Sequence, residues 1–230
     1  MNFPFLIFSA ILLSGGSAVL ETVFLRHRYR ENHWKSFFCK GLSALSFCGV
    51  GLLFALHAPC SRSFLILSGL FMGFLGDELL ALRKLYPRHH DFSFFAGALA
   101  FSAGHFFYFS ALQKITPLPF GPFLLLFLIL ITCSEAFLRL CKCQDHRMHL
   151  PGLIYIGIEA IMCAGALYCA CRRTGPGTLL FAIGGLSFLI SDNLLCVFTF
   201  GNLRKPGIDQ ALHITYLSAQ LLIAWSILLL

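Results

Sequence analysis

The chain has 230 residues, 58% of them hydrophobic and only 12% charged, with a mean hydropathy of +0.81. Soluble domains carry about 25% charged residues, so this chain cannot cover itself with polar surface and a soluble globular fold is excluded. Its formal net charge of +7 does not indicate nucleic acid, because the basic residues stand between apolar runs, where they act as topology signals at an anionic lipid surface.

A membrane helix needs about 20 mostly apolar residues. Taken in order, the sequence offers eight such runs: roughly 3–25, 36–57, 63–82, 92–113, 118–138, 151–171, 177–200 and 207–229. We therefore expect an all-α polytopic membrane protein, a single integral membrane domain over 1–230. The first run, "MNFPFLIFSAILL", has no basic n-region and no clear cleavage site, so it reads as a span and not a removable signal. The breaks between runs carry charge or Pro and Gly: "RHRYRENHWK", "APCSR", "RKLYPRHHD", "KITPLP", "RLCKCQDHRMH", "RRTGPG" and "GNLRKPG". The first, third, fifth and seventh loops hold twelve Lys and Arg residues, the other loops four. Cytoplasmic loops collect Lys and Arg, which predicts both termini outside a cell or inner membrane. The ten cysteines fall mostly inside apolar runs, where Cys behaves as a small hydrophobe and not as part of a disulfide framework.

The third run contains "GLFMGFLGDELLAL", with Asp77 and Glu78 side by side at membrane depth. Ionisable groups there are costly and face a partner or a water-filled cavity. The full set is Lys40, Asp77, Glu78, His105, Glu135, Glu159, Asp192 and His213. Adjacent helical residues lie about 100° apart, so Asp77 and Glu78 cannot face one point. Gly69, Gly73 and Gly76 would admit a neighbouring helix closely, and Ala96, Ala100 and Gly104 form a small-residue stripe leading to His105. The alternative for each buried polar group is a structural hydrogen-bond network, the favoured reading for Glu78, Glu135 and His213. "CKCQDHRMH" offers Cys141, Cys143, His146 and His149, but their spacing fits no zinc pattern. No metal site is expected, and no nucleophile elbow or nucleotide-binding loop occurs.

The halves also compare. "FLGDELL" and then "HFFYFSA" in the first are matched by "FLISDNLL" and then "HITYLSA" in the second. Two parallel four-helix repeats would produce this order, with Asp77 and Asp192 on equivalent helices.

At these residues the chain resembles the YhhN-type lysoplasmalogenases, a family of integral membrane enzymes. The resemblance lies in "CKGLSAL" around Lys40, "LGDELL" around Asp77, "GHFFYF" around His105 and Tyr108, "ISDNLLCVF" around Asp192, and "ITYLSAQLLIA" around Tyr216 and Gln220. Gly41 and Gly104 depart from the residues usual in that family. The resemblance implies hydrolysis of the vinyl ether bond of a lysophospholipid, lysoplasmalogen, to a fatty aldehyde and a glycerophospho-ethanolamine or -choline, without an organic cofactor.

That chemistry begins with protonation of an alkene carbon, passes through an oxocarbenium-like ion, and ends with water addition and collapse of a hemiacetal. It asks for a carboxylic acid still protonated near neutral pH and a carboxylate, as in glycosidases. Asp77 and Asp192 are the expected pair, with Asp77 holding the proton. All four of Asp77, Asp192, His105 and Tyr216 are expected to line one cavity. Lys40 would attract the lipid phosphate, or else pair with Asp77, which would favour a base role for that residue. His105 would orient water or relay a proton; Tyr108, Glu159, Tyr216 and Gln220 would contact substrate, with Glu78 and Ser191 behind them. The competing reading is a proton-coupled carrier for a small molecule or lipid, which buried acids and parallel repeats also suit. Oligomeric state is not encoded in any of these features.

Overall fold

The computed structural model describes residues 2–141, 143, 146–201 and 204–230, with the side chains of 87, 90 and 146–149 left out. Among the described residues there are eight α helices and no strand: α1 (Phe3–Tyr29), α2 (His33–His57), α3 (Ser61–Leu85), α4 (His90–Gln113), α5 (Phe120–Leu140), α6 (His146–Arg172), α7 (Pro176–Phe200) and α8 (Pro206–Leu229). Each is long and apolar enough to cross a membrane, so the protein is an eight-span helical membrane protein. Several helices run past the expected limits. The "RHRY" end of α1 stays helical, since a backbone that bonds internally stays satisfied while long basic side chains reach the interface.

Local chemistry sets the ends. Pro4, Pro176 and Pro206 occupy the first turns of α1, α7 and α8, where a missing N–H costs nothing. The Asn32 side chain caps α2 by accepting from the Lys35 amide at 3.2 Å. Just before it, Glu31 takes a left-handed conformation with φ 57° to close the α1–α2 turn. Thr178 accepts from the Gly175 amide at 3.3 Å and so ties down the start of α7.

The helices group into two compact units, residues 1–108 and 109–230, the division falling near the end of α4. In the first, α2 packs against α1 and α3. Here α4 approaches α3 through glycines: a Cβ on Gly104 would lie 3.1 Å from the Gly69 carbonyl, and one on Gly69 would fall inside the Tyr108 ring. In the second, α7 packs against α8, α6 and α5, around a core of Leu138, Ile156, Cys163, Leu189, Cys196 and Val197. Large apolar side chains such as Phe5, Phe8 and Leu12 on α1 and Leu125 and Leu128 on α5 are exposed, as lipid-facing residues must be. No disulfide links any of the ten cysteines.

Candidate functional site

Each unit buries its own ionisable cluster. In the first, Lys40 on α2 is 4% exposed, and its ammonium lies 2.9 Å from Glu21 Oε1 on α1 and 3.5 Å from Asp77 Oδ2 on α3. The second oxygen of Glu21 accepts from the Ser43 hydroxyl at 2.9 Å. Ser43 and Ser17 in turn hydrogen-bond across α1 and α2. The Lys40 ammonium also stands 5.4 Å from the centroid of the Phe24 ring, a cation–π distance. The result is a carboxylate–ammonium–carboxylate triad spread over three helices. Of the two uses the sequence left open for Lys40, pairing with Asp77 is the one the geometry displays.

Asp77 and Glu78 both address α2, at consecutive positions. Asp77 meets Lys40, while Glu78 lodges in the space left by the missing Cβ of Gly41, which would lie 2.5 Å from Glu78 Oε1. The departure at Gly41 therefore makes room for the second carboxyl. His105 on α4 is buried, with its ring 6.3 Å from that of Tyr108 in an edge contact.

In the second unit, Asp192 on α7 accepts from the Tyr155 hydroxyl of α6 at 2.5 Å. One turn further along α6, Glu159 is fully buried, and an oxygen of its carboxyl lies within 4.8 Å of one of Asp192. Neither Glu159 oxygen takes a hydrogen bond among the described residues. Ser191 donates to the Leu212 carbonyl at 3.1 Å and pins α7 to α8. Gln220 donates to the Tyr216 hydroxyl at 3.0 Å, and the Tyr216 ring meets Phe188 edge-on at 5.4 Å.

Glu135 lies 2.6 Å from Arg139, one turn along α5. His213 sits 3.8 Å from Asp209. For the "CKCQDHRMH" loop, the side chains of His146 and His149 lie outside the described residues.

Sequence reasoning passed over Glu21, Tyr155, Asn193 and Asp209, all buried polar residues or partners of one. For Tyr155 a signal existed: "YIGIE" puts it one helical turn before Glu159. Asn193 bridges α7 to Ser134 of α5 at 3.1 Å, beside an aspartate that drew the attention.

An eight-span helical membrane protein with a buried acidic cluster in each half is the class these observations define. The chain belongs to the YhhN family, whose model matches residues 35–227. That match begins in α2, so Glu21, which holds Lys40, lies outside it. Comparison with curated proteins found no match, and comparison with solved structures found none either.

Proposed function

We propose that the protein hydrolyses the vinyl ether bond of lysoplasmalogen, releasing a fatty aldehyde and glycerophospho-ethanolamine or -choline. Family membership carries the reading, and the buried carboxyl chemistry supports it. The alkene carbon accepts a proton from a carboxylic acid, and the positive charge that develops on the ether carbon is stabilised by a carboxylate. Water then adds to that carbon and loses a proton. The hemiacetal breaks its bond to the glycerol oxygen, giving aldehyde and alcohol. Buried aspartates suited to such steps are present, Asp77 in the first unit and Asp192 in the second. Both reside in spans. The substrate is a single-chain lipid drawn from the bilayer itself.

The test is incubation of the purified protein in lipid nanodiscs with lysoplasmalogen, with release of aldehyde followed by trapping and mass spectrometry. A saturated alkyl-ether lysolipid, which has no alkene to protonate, is the control and should be untouched. Folded protein that releases no aldehyde refutes the activity.

A further inference from the structure

The two aspartates have unlike surroundings, and the difference points to a division of labour. Asp77 has an ammonium at 3.5 Å. Asp192 has a hydroxyl donor at 2.5 Å and a second carboxyl within 4.8 Å. Among the described residues of α5–α8, no lysine or arginine pairs with Asp192 or Glu159. Two bare carboxylates this close and this buried repel with little screening, and a proton on one of them removes the repulsion. An O–H···O distance of 2.5 Å is the short kind made to an ionised oxygen, so Tyr155 favours the carboxylate form of Asp192 and leaves the proton with Glu159.

On the activity proposed above, we infer that the reaction's proton is stored in the second unit, on Glu159 beside Asp192, while Asp77 acts as a carboxylate fixed by Lys40 and Glu21. Glu159 and Tyr155 are then positioning residues: one holds the proton that Asp192 passes on, the other keeps Asp192 ready to receive it again. The role of acid moves from Asp77, where burial alone had put it, to the helix pair α6–α7. The balance closes within the second unit: one proton leaves Glu159 through Asp192 to carbon, and the proton released by the attacking water returns by the same path.

Dicyclohexylcarbodiimide, a lipid-soluble reagent, tests this without any substrate. A carboxylic acid adds across its C=N bond and keeps the whole reagent as an N-acylurea, whereas a carboxylate does not start the reaction. Wild-type protein in nanodiscs at neutral pH should gain the adduct on Glu159 and none on Asp77, as mapped by peptide mass spectrometry. Glu159→Gln should lose the α6 adduct without a new one appearing on Asp192. The double variant Glu21→Gln/Lys40→Met, which leaves Asp77 without its cation, should gain an adduct on Asp77. An adduct on Asp77 in the wild type overturns the inference, as does an unlabelled Glu159, or an unlabelled Asp77 in the folded double variant. Labelling as expected with no aldehyde formed from lysoplasmalogen would instead refute the activity and leave the proton assignment standing.

Discussion

Lys40→Met is the perturbation that most directly tests the first cluster. The wild-type triad carries two carboxylates and one ammonium, so removing the ammonium leaves Glu21 and Asp77 facing an apolar methionine in its place. Breaking a buried pair by deleting one partner costs about 3–5 kcal/mol. At roughly 2–4 °C per kcal/mol for a chain of this size, the unfolding midpoint should fall by about 6–20 °C. Glu21→Gln and Asp77→Asn should each stay near wild type, because each leaves Lys40 one carboxylate partner and brings the cluster to neutrality. The triple variant Glu21→Gln/Lys40→Met/Asp77→Asn is all neutral and should recover most of what Lys40→Met loses, since replacing a whole buried ion cluster is often harmless to stability. The assay is thermal unfolding in one detergent for the five proteins, followed by intrinsic fluorescence and by retention of the monodisperse peak. A Lys40→Met midpoint within 2 °C of wild type, a shift below about 1 kcal/mol on that scale, refutes the argument. A normal midpoint with a raised KM would return Lys40 to the phosphate-binding role.

Three further outcomes are expected. Asp77→Asn should fold normally yet lower kcat for vinyl ether hydrolysis by at least about 100-fold, the scale on which a proton-transfer group acts; near-normal kcat per folded molecule would remove Asp77 from the chemistry. Gly69→Ala should cost about 1–3 kcal/mol as an overpacked core position, because its Cβ meets the rigid, buried Tyr108 ring, whereas Gly41→Ala should cost much less, its Cβ meeting only the movable end of Glu78; equal unfolding midpoints for the two variants would contradict the α3–α4 packing. A reporter fused after Leu230 should read outside and one within 139–150 should read cytoplasmic; cytoplasmic signal after Leu230 would reverse the orientation.

The spans were legible because hydrocarbon thickness and backbone satisfaction leave a membrane chain almost no other option. The acidic residues were legible as well, for the simple reason that Asp77, Glu159 and Asp192 interrupt otherwise apolar runs. Their partners were harder to see. Glu21 lies close to the basic end of α1 and so reads as an interfacial residue, and only the packing of α1 on α2 brings it to Lys40. Tyr155 is masked by its amphipathic character: in a chain with 26 Phe and 6 Tyr, its place one turn before Glu159 is a faint signal beside the hydroxyl found 2.5 Å from a carboxylate. The surroundings that distinguish one aspartate from the other are three-dimensional, and the motifs "GDELL" and "SDNLL" are too alike to disclose them.

That likeness acquires meaning from the partners. The step from Lys40 to Asp77 is 37 residues, and so is the step from Tyr155 to Asp192. Each contact joins the second helix of its unit to the third. Gly69 precedes Asp77 by the same eight positions that separate Gly184 from Asp192, and both glycines sit where the following helix comes close, to Tyr108 in one case and to the Ala219 carbonyl and Ile223 in the other. These correspondences support a duplicated four-helix plan with aspartates at equivalent positions. A duplicated carboxyl begins with one chemistry twice over, and the vinyl ether hydrolysis proposed above needs two different ones. The least change that separates them is the partner on the preceding helix. A lysine there commits its aspartate to the charged form, while a tyrosine supplies a hydrogen bond without a charge and leaves room for the proton that a neighbouring glutamate retains. Within this family fold, the residue facing each aspartate from the preceding helix would thus determine its role more than the aspartate's own motif does.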